Sequence, residues 1–198
     1  MLFEVRCPGC GVRGWCPCPA CVEALVPAPP LGFSAAAAGA ASVGVLFSYE
    51  GVARDFVHAL KFRRERHIAR WLGAALAANA PAGVGAVTWA PTTPSRRRRR
   101  GFDQGEVLAR ATARCLGVPA PRLLRRTSEG SQRGLSREER LERPAFAALR
   151  PPGTGTGVLV VDDVLTTGAT ANAAARALLR GGAAAVDVLT FARVVTES

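Results

Sequence analysis

Apolar residues along the chain fall into short runs of two kinds, and the runs alternate. Val43-Gly44-Val45-Leu46-Phe47-Ser48-Tyr49 is compact and mostly apolar, which predicts a strand closed by a turn at Glu50-Gly51. Val52, Phe56, Val57 and Leu60 then recur at helical spacing, and Ile68 to Ala80 predicts a second helix. Val84 to Ala90 predicts a strand ended by Pro91. Gln104 to Cys115 predicts a helix with Val107, Leu108 and Ala111 on one face, stopped by Gly117 and Pro119. Gly157 to Val161 is a fully apolar strand, Ala169 to Leu179 a helix ended by Gly181-Gly182, and Val186 to Phe191 a final strand. Strands alternating with helices predict an α/β fold, a parallel sheet flanked by helices on both faces. No repeat of fixed period is present.

Two regions lack this patterning. Residues 1–25 form a Cys/Pro/Gly-rich knuckle too small for a core of its own, and 26–42 reads as a linker, leaving 43–198 as the main domain. Five of six cysteines lie in the knuckle, where Cys7-Pro8-Gly9-Cys10 and Cys18-Pro19-Ala20-Cys21 form two C-x-x-C pairs. Four thiolates at these spacings suit a structural Zn²⁺, whose binding supplies folding energy to a short segment. Cys7, Cys10, Cys18 and Cys21 are the favoured ligands because the pairs are then equivalent; Cys16, in Cys16-Pro17-Cys18, is the alternative to Cys18. Clustering of this kind argues against a secreted disulfide scaffold. Cys115, on the apolar face of its helix, is expected to be a buried core thiol. Trp15 is expected to pack on the knuckle, and Trp71 and Trp89 in or near the core.

At 198 residues, 48% hydrophobic and 21% charged, the chain is rich enough in apolar residues to exclude general disorder. No signal peptide is recognisable at Met1 to Cys7. The uncharged stretch Leu31 to Tyr49 is too rich in Gly, Ser and Ala to be favoured as a membrane span. The expectation is a cytoplasmic protein without a membrane partner. The net charge of +11 is local: residues 96–143 hold 14 arginines against six acids, including the run Arg96 to Arg100. Such a run reads as a solvated loop, as a nucleic-acid patch, or as a source of pyrophosphate ligands beyond a strand end. His58 and His67 have no partner at useful spacing, and Gly153 to Gly157 lacks the lysine of a phosphate-binding P-loop.

The densest chemistry lies at Val158-Leu159-Val160-Val161-Asp162-Asp163-Val164-Leu165-Thr166-Thr167-Gly168-Ala169-Thr170. A buried strand hands over to a helix through a turn with two acids before it and hydroxyls within it. Ligands of open α/β sheets bind beyond the carboxyl ends of the strands. The helix start offers amide hydrogens to a phosphate, and Gly168 allows close approach. Two acids beside a phosphate site make sense if they grip sugar hydroxyls or Mg²⁺. Together these features point to a phosphorylated sugar.

This segment resembles the signature of type I phosphoribosyltransferases, which bind 5-phosphoribosyl-1-pyrophosphate (PRPP). The resemblance implies that Asp162 and Asp163 hold the ribose hydroxyls, and that Thr166, Thr167, Gly168, Ala169 and Thr170 cradle the 5-phosphate. Tyr49-Glu50-Gly51, Leu60-Lys61-Phe62, Arg100-Gly101-Phe102-Asp103-Gln104, Leu135-Ser136-Arg137 and the cysteine head occur in the order of the ComF family, whose members include competence proteins of DNA-transforming bacteria. That resemblance also implies a zinc finger and, over 125–146, a lid loop. The chain departs from the family at Asp103, usually Asn, and at Trp89-Ala90-Pro91-Thr92. Two functions follow. In one, Mg²⁺–PRPP binds with Arg100 near its pyrophosphate and phosphoribosyl passes to a nitrogenous base. In the other, a non-catalytic protein keeps the pocket and handles single-stranded DNA. A homodimer is compatible with both, and nothing names the acceptor base.

Overall fold

A computed structural model describes residues 5–30, 40–63, 67–127, 145–149 and 155–195. The knuckle ends in a short helix α1 (Pro19–Glu23). The main domain follows as β1 (Ser42–Ser48), α2 (Gly51–His58), a π-helical turn (Ala59–Arg63), α3 (His67–Ala78), β2 (Val84–Trp89), α4 (Pro94–Arg100) and α5 (Gln104–Leu116). Then come β3 (Leu124–Arg126), β4 (Phe146–Ala148), β5 (Gly157–Leu165), α6 (Ala169–Arg180) and β6 (Ala185–Arg193).

Four strands form a parallel sheet in the order β1-β6-β5-β2, and β3 pairs antiparallel with β4 outside it. Successive side chains of a strand point to opposite faces, and the central strands divide accordingly. Leu159 and Val161 of β5, with Leu189 and Phe191 of β6, join Phe56, Leu72 and Leu108 in one core. Val158, Val160, Val186 and Val188 join Ala174 and Leu178 of α6 in the other. Such two-sided burial explains why these strands read as unbroken apolar runs.

Both sheet edges are covered, which removes free strand edges as templates for aggregation. Val26–Ala28, within the segment expected as a linker, lies along β1: Ser48 N–H donates to Val26 O and Ala28 N–H to Leu46 O. Beside β2, Val87 N–H donates to Pro119 O, and the Thr88 hydroxyl donates to Pro121 O.

The chain leaves β5 toward one core and β2 toward the other. The carboxyl ends of these neighbouring strands therefore flank a crevice, the position at which open α/β sheets place their ligands. Among the described residues, no helix is long and apolar enough to cross a membrane.

Three sequence expectations need correction. Arg96 to Arg100 is not a loop but part of helix α4, with Pro94 in its first turn, Thr93 Oγ1 accepting from Arg96 N, and Gly101 closing it at φ +80°. Cys115 is exposed rather than buried. It falls in the last turn of α5, beyond the buried positions that end at Ala113. Trp15 is largely exposed; Trp89 is buried and Trp71 packs at the core's margin. The lid expected at 125–146 lies mostly outside the described residues, but its two ends are β3 and β4.

Candidate functional site

Asp162 and Asp163 lie near the end of β5, still within its ladder with β6. Alternation separates their roles. Asp163 is buried at 3% exposure, with its Oδ1 2.7 Å from Lys61 Nζ. Its Oδ2 is buried with no partner among the described residues. Asp162 is half-buried, and its Oδ1 accepts the Asp163 N–H at 2.8 Å. Removal from water, then the neighbouring Asp163 carboxylate, push the Asp162 carboxyl up to about 7; the Asp163 N–H and Lys61 oppose this without cancelling it.

Beyond β5, Thr166 and Thr167 are exposed and Gly168 adopts φ +76°, a left-handed conformation that side chains disfavour. Gly168 is also the N-cap of α6 and puts no side chain over the first turn. The Ala169 N–H donates weakly to Thr167 Oγ1 at 3.4 Å, and no N-cap side chain covers the start of this twelve-residue helix, the arrangement that receives anions.

A cavity of about 360 Å³ joins these groups to others. Asp162, Asp163, Thr166 and Thr170 form one wall, and Pro91, Thr92, Arg96, Arg100 and Gln104 the opposite one. Lys61, Tyr49 and Arg126 complete it. Thr167, Gly168 and Ala169 belong to the same loop but do not line the cavity. Arg100 is nearly buried, and among the described residues its Nε and Nη1 atoms have no hydrogen-bond partner, nor does Gln104 Oε1. Burial lowers the Arg100 pKa; the Asp163 carboxylate opposes the shift, and Arg96 and Arg99 reinforce it. The guanidinium stacks over the Phe62 ring at 5.0 Å.

Helix geometry parts the arginine run. Successive residues turn by about 100°, so Arg100 and Arg96 face the cavity while Arg97 faces a neighbouring groove of about 410 Å³. That groove is lined also by Arg110, Arg122, Arg125 and Arg126, over a floor including Trp89, Pro91 and Pro94.

Asp103 tethers the loop between the two spaces. Its Oδ2 accepts Thr92 N–H and its Oδ1 accepts Gly105 N–H, both at 3.0 Å. The family-like sequence pattern contained Lys61, Asp103 and Gln104 without giving them a role at the site. Arg126 had no signal at all, because a three-residue strand has no readable period.

In the knuckle, the sulfurs of Cys7, Cys10, Cys18 and Cys21 all lie within 4.8 Å of one another. A tetrahedral zinc with Zn–S of about 2.3 Å requires S···S spacings of about 3.8 Å, and Cys10 Sγ to Cys18 Sγ is 3.6 Å. Cys16 lies outside this set and lines a separate cavity with Trp71 and Cys115. Burial raises the Cys7 thiol, but amide donors from Cys10, Cys18 and Gly9 outweigh it and bring it down to about 6. Cys21 is pushed up by burial and then by the sulfurs of Cys18, Cys7 and Cys10. Cys18 rises too: the Cys21 amide favours its thiolate, but burial and the Cys10 and Cys7 sulfurs prevail. The Cys7 thiolate thus forms readily while Cys18 and Cys21 resist, a conflict that a soft dication resolves. The donor set fits Zn²⁺.

Comparison with known proteins adds four findings. A family model described as a phosphoribosyl transferase domain matches residues 103–196. The chain is 30% identical over 201 residues to the DNA utilization protein YhgH of Salmonella typhi, a match covering 96% of this chain and 84% of that protein. It is 34% identical over 105 residues to the competence protein ComFC of Bacillus subtilis (strain 168), covering 52% of this chain and 42% of the relative. In structure, it resembles the glutamine PRPP amidotransferase from B. subtilis complexed with ADP and GMP, with a TM-score of 0.50 and 22% identity. That likeness covers 68% of this chain and about 30% of the amidotransferase, and it concerns the fold alone.

Proposed function

The chain belongs to the ComF family, and from that premise we propose that its sheet-end cavity binds Mg²⁺–PRPP or a related phosphoribosyl ligand. One observation supports this above the others. Asp163 Oδ2, Gln104 Oε1 and the Arg100 Nε and Nη1 atoms are all buried around one cavity without partners among the described residues. Buried polar groups without partners are costly, so a ligand presenting hydroxyls to the acid and phosphate oxygens to the guanidinium answers both needs.

In this reading the 5-phosphate rests on the Thr166–Thr170 loop and the amide hydrogens at the start of α6. The ribose hydroxyls donate to Asp162 and Asp163. The pyrophosphate faces Arg100 and Arg96. The two carboxylates, with hard oxygen donors, fit Mg²⁺, which would offset charge on the pyrophosphate. If transfer occurs, a nitrogen lone pair forms the new bond to the anomeric carbon. The C1–O bond breaks with its electron pair leaving on pyrophosphate, and Arg100 stabilises that charge. Positioning supplies most of the remaining help. Mg²⁺–PRPP is expected to raise the melting temperature of the wild type, and the double variant Asp162→Asn, Asp163→Asn to lose the rise. No shift at millimolar PRPP contradicts the reading.

A second reading rests on the arginine groove and on relatives named for DNA utilization and competence. Arg97, Arg122 and Arg125 are exposed and no ion pair occupies them among the described residues. A single-stranded phosphodiester chain fits these three arginines over a partly apolar floor, while Arg110 in the same groove is paired with Glu106. Replacing Arg97, Arg122 and Arg125 by Ala is expected to weaken oligonucleotide binding and flatten its salt dependence by about three units of log–log slope at most. An unchanged slope removes this reading.

A further inference from the structure

Lys61 is the only lysine in the chain. It sits in Ala59–Arg63, where α2 widens into a π-helical turn. Such turns redirect side chains and recur at functional sites. Here the turn serves both halves of the cavity. Lys61 Nζ reaches Asp163 Oδ1 at 2.7 Å, and the next residue, Phe62, lies beneath Arg100. The Lys61 side chain is 17% exposed and that of Asp163 5%. The protein thus places its own cation on one oxygen of Asp163 and, among the described residues, leaves the other, Oδ2, without a partner.

The choice of lysine is informative in a chain that otherwise uses arginine for every basic side chain. An ammonium is a compact point charge with three donors and no fixed fork. It can hold a carboxylate and turn a further N–H toward the oxygen of a ribose hydroxyl that itself donates to Asp163, the position a bound metal ion would otherwise take. A guanidinium, planar and bidentate, would cover the carboxylate instead. Asp103, the other acid near the cavity, has both oxygens engaged by Thr92 and Gly105 and makes no demand on this charge.

Building on the phosphoribosyl reading, we propose that Lys61 stands in for a divalent cation at Asp163. Sugar phosphates without a pyrophosphate, of the class of ribose 5-phosphate, then bind without Mg²⁺. Mg²⁺ becomes necessary only when the ligand brings the additional charge of a pyrophosphate. Lys61 is a ligand-binding and specificity-determining residue, and Asp163 Oδ2 is the acceptor left for a ribose hydroxyl.

The test is calorimetric titration of the full chain with ribose 5-phosphate and with PRPP, with Mg²⁺ and in resin-treated Mg²⁺-free buffer. A chelator is avoided because it attacks the cysteine site. The wild type is expected to bind ribose 5-phosphate equally well in both buffers and to bind PRPP more weakly without Mg²⁺. Lys61→Met is expected to weaken ribose 5-phosphate about tenfold or more without Mg²⁺, the size of one lost charge-assisted contact, with recovery when Mg²⁺ is added. Lys61→Arg, which keeps the charge, is expected to recover only part of the affinity. Matching zinc content and melting temperature verify that the variants fold. A wild type that needs Mg²⁺ for ribose 5-phosphate overturns the proposal without help from any variant. So does Lys61→Met binding as tightly as wild type without Mg²⁺. If neither ligand binds the wild type in either buffer, the phosphoribosyl reading itself fails, and the proposal with it.

Discussion

Asp103 shows how a residue visible in a sequence takes its role from the fold. It departs from the Asn usual in the family. Its two oxygens accept two amides, one starting α5 and one in the Pro91–Thr92 loop. Asn has a single acceptor oxygen, so Asp103→Asn sets an amide donor against an N–H. The expected loss is about 1–2 kcal/mol in urea denaturation, and an unchanged midpoint contradicts the tether. Asp162 makes a prediction about pH. Its carboxyl rises from the ordinary 3.8 to about 7 in the folded chain. Folding therefore takes up a proton between those values, and stability falls as pH rises through that window. Asp162→Asn is expected to raise the melting temperature above wild type at pH 8 and to leave it near wild type at pH 4. The opposite ordering contradicts the shift. Lys61 was conspicuous as a lone lysine, but only the fold shows which carboxylate it meets.

The long elements of the main domain were legible because burial on both sheet faces leaves strong periodicity. Helix α4 was not, since five successive arginines have no apolar period. Its signals were the Thr93-Pro94 start and the Gly101 stop, which describe a capped helix without any core-facing stripe. The β3–β4 pair was missed for a related reason: each strand has three residues, and its register depends on a partner about twenty positions away. Periodicity also misplaced Cys115, because a stripe tells which side faces inward but not how far the covering helix extends. One close contact between elements gives a sharp test. A Cβ on Gly73 of α3 would lie 2.6 Å from Ala111 Cβ and 2.8 Å from the Ala111 and Thr112 backbone. Gly73→Ala is expected to destabilise by about 1–3 kcal/mol despite its better helix propensity, because backbone cannot yield as a side chain does. A melting temperature at or above wild type would show that α3 and α5 separate freely.

At the scale of the molecule, the cysteine knuckle shares a core with the sheet domain. Cys7, Cys18, Cys21 and Leu25 are buried in the same cluster as Phe56 and Leu72. Metal content is expected at one zinc per chain, retained in Cys16→Ser and lost in Cys18→Ser. Zinc removal is expected to lower the melting temperature of the whole chain rather than release a separate low transition. The sequence made the four-thiol set readable, but not this shared packing, because the knuckle shows no periodic apolar face. The chain's excess charge is likewise distributed by the fold, with Arg96 and Arg100 at the cavity and Arg97 in the groove beside it. The central claim is a place: a sugar phosphate where β5 meets α6. A crystal structure of the full chain soaked with ribose 5-phosphate tests it most directly. The expected result is the phosphate at Thr166–Thr170 with the ribose hydroxyls against Asp162 and Asp163. A ligand seated in the arginine groove, with the cavity at the sheet end left empty, would contradict it.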